Sequence, residues 1–348
     1  MFAYWLMFLL PALAVVSPWR GTPGVQRMAW IFFGVLFTLM IGFRHQVGGD
    51  WRAYLRHYDR TFEVPLSEAI GTSDPGYALL NWLSGLIGGE VYLVNLVCGA
   101  FVMAGIIVFS RRQPMPWLAL LVAVPYMIMV VAMGYTRQSV ALGFELLALV
   151  ALMDGRMRRF VLLVACGALF HKSAVVLLPL AMLARSRNRL WTLFWVGLTG
   201  AGLGVAILAE HYESLWQNYV GAQMVSEGGP IRVAMNALPA LLLLLFRKKL
   251  APDADERRLW MWIAVFSLAC IPLIGLASTA VDRVALYFMP IQLYVFSRFH
   301  RLFDGRLSRS VAVVSVVLGY GLVQWVWLNH AGHAFAWLPY QFYPFINL

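Results

Sequence analysis

The sequence is poor in charged residues and in cysteine. Of its 348 residues only 12% are charged, whereas 61% are hydrophobic, so a water-soluble domain could not bury this much apolar surface. The three cysteines, Cys98, Cys166 and Cys270, lie within apolar runs and lack the spacing of metal ligands or of a disulfide framework. These shortages exclude a soluble enzyme and leave no redox role for cysteine.

Acidic residues are also few, since 16 Asp and Glu stand against 27 Lys and Arg and give a net charge of +11. Such an excess can indicate nucleic-acid binding. Here, however, the basic residues form short clusters between apolar runs, which is the positive-inside pattern of a membrane protein. The acidic residues show no D-x-D or H-E-x-x-H spacing. We therefore predict no nucleic-acid partner, no metal site and no cofactor.

Long apolar runs are abundant. Most have about 15 to 21 residues, close to the roughly 20 that an α-helix needs to cross a bilayer. They cover 2–17, 28–43, 91–109, 117–133, 138–153, 190–209, 232–246, 259–279, 284–298 and 309–328. We predict an all-α fold, a polytopic transmembrane helical bundle of about ten spans in one domain, 1–348. The first run lacks a basic flank and a cleavage site, so it is predicted to be a span rather than a signal peptide.

Basic clusters separate the predicted spans and define the topology. They lie at residues 20–27, 111–112, 156–159, 185–189, 247–258 and 298–306. If all of them face the cytoplasm, both termini lie outside, and two apolar stretches do not cross the membrane. The first, 77–87, becomes an interfacial helix that follows an outer loop at 44–76, and the second is 160–184.

The stretch 160–184 has arginine clusters on both sides and is interrupted by His171, Lys172 and Ser173. Each half has about 11 residues, or ~16 Å of helix, which is half a bilayer. We predict a re-entrant pair of helices with His171 near its tip. The alternative is a single tilted span that leaves one basic cluster on the wrong side of the membrane.

Four arginines run against the cytoplasmic bias, namely Arg44, Arg137, Arg232 and Arg283. Guanidinium groups match phosphate oxygens with a planar, bidentate set of donors and stay charged at physiological pH. Converging from different helices, they suggest a di-anionic ligand such as a pyrophosphate. Alternatively, each one snorkels to the interface or pairs locally, as Arg283 could with Asp282.

Further polar and aromatic residues lie on the same predicted side. They are Asp50, Asp74, Gln138, Tyr54, Tyr77 and Tyr340. The tyrosines either belong to an ordinary aromatic belt or stack against sugar rings. His171 and Lys172 lie in an apolar run at a predicted helix break, where such residues are either packed in the core or line a cavity.

Residues 41–54, IGFRHQVGGDWRAY, resemble the first outer loop of the EpsG-like branch of the Wzy-type polysaccharide polymerases, with its G-[FL]-R and V-G-x-D-x-x-x-Y patterns. Later pieces match in order: DPGY at 74–77, TRQS at 136–139, FHKS at 170–173, Arg232, Arg283 with Tyr287, and WLPY at 337–340. The resemblance covers nearly the whole chain, although only the first motif is specific by itself.

The resemblance implies a glycosyltransferase in the bacterial cytoplasmic membrane, with its site facing the periplasm. It would join undecaprenyl-pyrophosphate-linked oligosaccharide repeat units, as donor and acceptor, into O-antigen, capsule or exopolysaccharide. A hydroxyl of one repeat would attack the anomeric carbon of another glycan, and polyprenyl pyrophosphate would leave. The lipid bilayer and a chain-length regulator protein would be further partners.

Residue roles follow from this chemistry. Cations aimed at the leaving pyrophosphate lower the barrier without a metal, and Arg137 is predicted to be catalytic in this way. Substrate binding is predicted for Arg44, Arg232, Arg283, Lys172, Gln138, Asp74, Tyr54, Tyr77 and Tyr340. The base that takes the hydroxyl proton is His171 or Asp50. His171 is preferred, because an aspartate would need a raised pKa.

Two other functions stay open. An O-antigen ligase would use lipid A or protein as its acceptor, but it is expected to carry a larger outer domain than 44–76. A lipid-linked oligosaccharide flippase or other transporter would also place charges in a central cavity. Transporters frequently have internal repeats and paired broken helices, whereas this sequence shows one break and no repeat.

Overall fold

The computed structural model describes residues 1–17, 21–72, 74–185, 228–275 and 278–346, together with Leu190 and Phe194. Helices make up most of this part of the chain, and its sheet consists of the two short strands β1 (Arg44–His45) and β2 (Gln341–Phe342). The prediction of an all-α fold is confirmed.

The first half of the chain contains α1 (Phe2–Val16), α2 (Pro23–Gly42), α3 (Trp51–Glu63), α4 (Leu66–Thr72), α5 (Pro75–Leu86), α6 (Glu90–Arg111), α7 (Pro116–Ala123), α8 (Thr136–Met153), α9 (Met157–Ala168) and α10 (Leu178–Arg185). The second half contains α11 (Gly229–Leu245), α12 (Arg247–Leu250), α13 (Ala254–Leu273), α14 (Ser278–Leu286), α15 (Pro290–Phe296) and α16 (Arg306–His330).

Four of these helices, α2, α6, α8 and α16, are long and apolar enough to cross a membrane, as judged over the described residues. Three shorter apolar helical segments accompany them, Phe2–Val16, Pro116–Ala132 and Gly229–Leu245. The chain is therefore a membrane protein. The predicted number of about ten spans is not confirmed, and the predicted span 190–209 lies almost entirely outside the described residues.

The centre of the bundle is formed by α6, which packs against α2 on one side and α8 on the other, while α8 also packs against α9. The contact between α6 and α8 is close because it is built on two glycines. A Cβ atom on Gly105 would lie 2.2 Å from the carbonyl oxygen of Gly143. Small residues allow helices to approach closely in membranes, where packing rather than the hydrophobic effect drives association.

Two of the predicted apolar runs are not continuous α-helices. Run 117–133 begins as α7 and continues as a π-helix, Val124–Ala132, which contains Pro125. Run 284–298 is divided into two helices: α14 ends at Leu286, and α15 begins at Pro290. Between them the backbone N–H groups bond the carbonyl three residues earlier, as in a 3₁₀-helix. Proline has no N–H to donate, which explains why the regular α-helical ladder changes at these places.

The predicted outer loop at 44–76 is not irregular, since it contains α3 and α4. Helix α3 is amphipathic, with Trp51 and Tyr54 buried and Arg52 and Arg56 exposed. The predicted helix at 77–87 is present as α5. It buries Tyr77 and leaves an apolar stripe exposed, which consists of Leu79, Leu83 and Leu86.

Stretch 160–184 is broken at His171, as predicted, and is not one continuous helix. Helix α9 ends at Ala168, His171 adopts an extended backbone, and the chain continues as a 3₁₀ segment, Lys172–Leu177, into α10. We refer to this unit, from α9 to α10, as the hairpin.

The tip and the end of the hairpin contact opposite ends of the bundle. At the tip, the backbone N–H of Gly76, at the start of α5, donates to the carbonyl of Leu169 over 2.8 Å. At its end, the carbonyl of Ala184 accepts from Arg258 in the first turns of α13 over 3.5 Å. The hairpin therefore runs toward the 44–76 segment and returns, which is the geometry expected of a re-entrant pair.

The C-terminal segment closes the end of the bundle at which α2 ends and α8 begins. Strand β2 pairs with β1, so that Phe342 lies opposite Arg44. The indole N–H of Trp337 donates to the carbonyl of Met129 over 2.9 Å, and the backbone carbonyl of Trp337 accepts from the hydroxyl of Tyr4 over 2.8 Å. Trp337 is 3% exposed and fills the space above Gly134.

Trp337→Ala should therefore lower the free energy of unfolding by about 3–5 kcal/mol, because it leaves a cavity and an unpaired carbonyl in a closely packed contact. The matched control is Trp325→Ala, since Trp325 is 46% exposed on α16. Thermal unfolding of both purified variants in detergent measures the difference. Equal melting temperatures would show that Trp337 does not hold the C-terminal segment in place.

Candidate functional site

A cavity of about 430 Å³ lies beside α3 at the end of the bundle where α8 begins. We call it the α3 cavity. Its lining residues are Asp50, Ala53, Tyr54, Arg56, His57, Arg60 and Arg137. Three of the sequence-predicted site residues, Asp50, Tyr54 and Arg137, thus meet in one cavity with arginines that the sequence analysis did not single out.

The segment before α3 requires a glycine at position 48, because of its backbone conformation and a close contact with another segment. Its φ is +105°, which L side chains rarely adopt, and a Cβ atom there would lie 2.2 Å from the carbonyl oxygen of Met133. The N–H of Gly48 donates to the carbonyl of Ala336 in the C-terminal segment over 2.8 Å. This close approach places Asp50 beside the start of α8.

Arg137, on the first turn of α8, is the point at which four segments meet. Its Nη1 donates to Oδ2 of Asp74 over 2.9 Å, and its side chain also hydrogen-bonds Tyr54 of α3. The Asp74 carboxylate in addition accepts from the backbone N–H of Lys172 at the hairpin tip. Arg137 keeps 40% of its side chain exposed, so part of the guanidinium group can still reach a ligand.

Asp50 is the residue immediately before α3, and among the described residues its carboxylate makes no capping hydrogen bond to the helix. Its side chain is exposed to the cavity, yet the surrounding protein raises the pKa of its carboxyl above the usual value. The positive charges of Arg137 and Arg283 lower the same pKa and limit the rise. Asp50 is thus an exposed carboxylate whose pKa is raised by the surrounding protein and lowered by the charges of two arginines.

Tyr54, His57 and Tyr77 form an aromatic wall at one side of the cavity. The ring centroids of Tyr54 and Tyr77 are 5.8 Å apart, and those of His57 and Tyr77 are 5.3 Å apart. Burial lowers the pKa of His57, and the charges of Arg137 and Arg60 lower it further, so the ring is neutral near pH 7. Tyr77 is fully buried and supports the wall from behind.

His171 lies next to the cavity rather than in its lining. Its Nδ1 is 2.6 Å from the hydroxyl of Ser173, which in turn is 2.9 Å from the hydroxyl of Tyr287. The charges of Arg137 and Arg283 act on the ring. Lys172 beside it is exposed; its backbone N–H donates to the Asp74 carboxylate, and its charge also acts on that carboxylate.

Arg44 is 1% exposed and bonds only protein groups within the described part of the chain. It donates to the carbonyl of Ile41 over 2.6 Å, to the side-chain oxygen of Asn95 over 3.1 Å and to the hydroxyl of Thr136 over 2.8 Å. Arg44 therefore connects α2, α6 and α8 and is a positioning residue in this structure.

Arg232 is also an internal cation. Its Nε lies 2.8 Å from Oδ1 of Asp282, and each side chain is 7% exposed. Its guanidinium carbon lies 5.5 Å from the ring centroid of Tyr135. Because Asp282 pairs with Arg232, the local pair between Asp282 and Arg283 that the sequence suggested is not the contact that forms.

Arg283 is exposed in the last turn of α14, and its charge acts on Asp50. Its backbone carbonyl accepts from Nε2 of Gln138 over 2.8 Å, which joins α14 to α8. Tyr340 donates its hydroxyl to the carbonyl of Met40 over 2.7 Å and contributes to the closure of the bundle. Gln138 and Tyr340 thus serve packing contacts around the site.

Three residues of the cavity lining were not predicted from the sequence, namely Arg56, His57 and Arg60. The sequence does contain a pattern that indicates them. Arginines recur at four-residue spacing, at 52, 56 and 60, which places them on one face of a helix, and they lie in an outer segment where arginine is disfavoured. The signal was lost because 44–76 was interpreted as a loop, in which spacing has no meaning.

Glu145 was also missed, although an acidic residue in an apolar run is a functional candidate by itself. It lies on α8 and is 1% exposed, and neither carboxylate oxygen has a hydrogen-bond partner among the described residues. Within those residues there is no group of three or more His, Cys, Asp or Glu that could hold a metal ion.

The chain matches the model of the EpsG family over residues 27–342. Neither the curated proteins nor the solved structures contain a match. The matched range includes the α3 cavity, the hairpin and β2, and it omits α1. With most of its length covered, the chain belongs to the EpsG family.

Proposed function

We propose that the protein is a polysaccharide polymerase that joins polyprenyl-pyrophosphate-linked oligosaccharide repeat units by glycosyl transfer. Membership of the EpsG family supports a polysaccharide polymerase-related role. The observation that carries the reaction type is the α3 cavity, where a carboxylate, Asp50, lies beside the guanidinium group of Arg137 and within the field of Arg283.

The proposed leaving group is the pyrophosphate of the donor, held by Arg137 and Arg283. Both guanidinium groups are accessible, unlike those of Arg44 and Arg232. Arg137 is oriented in advance by Asp74 and Tyr54. Donors that are fixed before the reaction stabilise the charge that develops on a leaving group without reorganising, and each is typically worth about 3–4 kcal/mol. No step in this scheme is assigned to a metal.

The bond changes balance as follows. A hydroxyl oxygen of the acceptor glycan attacks the anomeric carbon of the donor and forms the new glycosidic bond. The bond from that carbon to the pyrophosphate oxygen breaks, and its electron pair stays with polyprenyl pyrophosphate. The hydroxyl proton passes to a base.

We propose Asp50 as this base. It lines the cavity, it is not used as a helix cap within the described residues, and the protein raises its pKa. The raised pKa removes the reason for which His171 was preferred from the sequence. His171 instead contacts Ser173, outside the cavity lining, and we assign it a positioning role at the hairpin tip through the adjacent Lys172 N–H.

The membrane arrangement that fits this scheme places the α3 cavity at the periplasmic face of a bacterial cytoplasmic membrane. In that arrangement α5 lies at the interface with Leu79, Leu83 and Leu86 toward lipid. The hairpin enters and leaves from the cytoplasmic side, and the lipid tails of donor and acceptor stay in the bilayer. About ten crossings and a chain-length regulator as partner belong to the same proposal.

The first test is the glycan ladder of cells that lack the gene. Loss of long chains with a single repeat still attached to its carrier is expected for a polymerase. Loss of all surface repeats would instead indicate a ligase or a flippase.

Arg137→Lys should restore little polymer, because an ammonium group cannot replace the bidentate guanidinium group, and losses of about 10²–10³ in rate are typical for one such donor. Arg52→Lys, on the same outer segment but outside the cavity lining, should restore the full ladder.

The second test concerns the base. Asp50→Asn should lower kcat by about 10²–10⁴ and remove the acidic limb of the pH–rate profile. In the unchanged protein that limb should lie above pH 3.8, the ordinary pKa of the group, because the surroundings raise it and activity is lost as pH falls through the raised value. Asp59→Asn, an exposed change on the same helix, is the control. A normal rate from Asp50→Asn, with an acidic limb that disappears only in His171→Asn, would transfer the role to His171.

A further inference from the structure

We propose that Arg56 and Arg60 form a second anion-binding subsite of the α3 cavity, which takes a carboxylate of the glycan, as in a uronic acid residue of the repeat unit. The inference rests on the proposed function, and it adds a substrate class: an acidic oligosaccharide.

The two arginines are placed to act together. They lie four residues apart on α3, so their side chains emerge from the same side of the helix, and both line the cavity. Ala53, one turn earlier on that side, has a small side chain and leaves the cavity open toward Asp50. Both guanidinium groups are exposed and accessible to a ligand.

The lining of the α3 cavity carries an excess of positive charge. Its lining contains three arginines and one aspartate. Arg137 pairs with Asp74, whereas the described residues show no ion pair between an acidic side chain and either Arg56 or Arg60. Two like charges four residues apart on one helix repel each other, and an anion bound between them removes that repulsion. The arrangement therefore favours an anionic occupant.

A pyrophosphate bound by Arg137 and Arg283 does not account for this second pair. From Asp50 to Arg60 the helix extends about 15 Å, at 1.5 Å per residue. Two linked phosphates span less than this length, and in the proposed reaction the sugars attached to the pyrophosphate would occupy the rest of the cavity along α3. A carboxylate on one of those sugars matches the planar fork of a guanidinium group, which neutral hydroxyls do not require.

Binding to small probes tests the subsite. The purified full-length protein in phosphatidylcholine nanodiscs is titrated calorimetrically with trigalacturonate, with its uncharged methyl ester and with inorganic pyrophosphate. We expect the acid to bind and the ester to bind at least tenfold more weakly. Arg56→Gln and Arg60→Gln should each weaken binding of the acid about tenfold, the usual value of a charged hydrogen bond, and leave pyrophosphate binding unchanged.

Arg52→Gln is the matched control, because Arg52 lies on the same helix one turn earlier and does not line the cavity. It should bind all three probes normally. Equal affinity of the unchanged protein for acid and ester would overturn the subsite. So would a loss of pyrophosphate binding in Arg56→Gln or Arg60→Gln, which would assign the pair to the leaving group.

A membrane surface is the remaining alternative for an arginine stripe. In that case Arg52→Gln, Arg56→Gln and Arg60→Gln would all bind vesicles that contain phosphatidylglycerol more weakly than the unchanged protein does, and to the same extent. That result would also overturn the subsite. The proposed function has its own readout, since pyrophosphate binding should depend on Arg137. If pyrophosphate binds and Arg137→Gln abolishes it while the acid fails to bind, the subsite alone is wrong.

Discussion

The buried guanidinium group of Arg44 is the constraint on which the site depends. A charge that is 1% exposed is costly unless its donors are paired, and the two terminal nitrogens of Arg44 donate to oxygen acceptors on α2, α6 and α8, while its Nε has no hydrogen-bond partner among the described residues. Its partner on α8, Thr136, directly precedes Arg137. The contact that joins three helices therefore holds the first residue of α8, next to Arg137, against α2 and α6.

The outer arginines divide into two groups according to their surroundings. Arg44 and Arg232 are buried and bonded to protein groups, whereas Arg137 and Arg283 reach solvent and act on Asp50. The first group sets the geometry, and the second supplies charge to the cavity. A substrate phosphate in the proposed reaction would meet Arg137, which its ion pair with Asp74 holds in place, and a donor fixed in this way is the condition for electrostatic catalysis without reorganisation.

Helix content, the break at His171 and the helix at 77–87 could be predicted from sequence, because they depend on hydrophobic run length, on charge placement and on local polar interruptions. The roles of Arg44 and Arg232 could not, since burial of an arginine depends on acceptors from distant segments, such as Asn95 and Asp282. The cavity could not be predicted for a different reason, namely that 44–76 was expected to be a loop and not to contain helix α3. The sequence predicts His171 and Asp50 on the same side of the membrane. Only the fold shows that Asp50 lines the cavity, whereas His171 contacts Ser173 outside its lining.

The most direct test is an assay of the purified protein in nanodiscs with a synthetic polyprenyl-pyrophosphate-linked repeat unit, in the presence of a chelator that removes divalent cations. The release of free polyprenyl pyrophosphate and the length of the glycan product are measured together by mass spectrometry. The account predicts one carrier released for each repeat joined, at a rate that the chelator does not change. Absence of release from an intact, folded protein, or release that stops when divalent cations are removed, would contradict it.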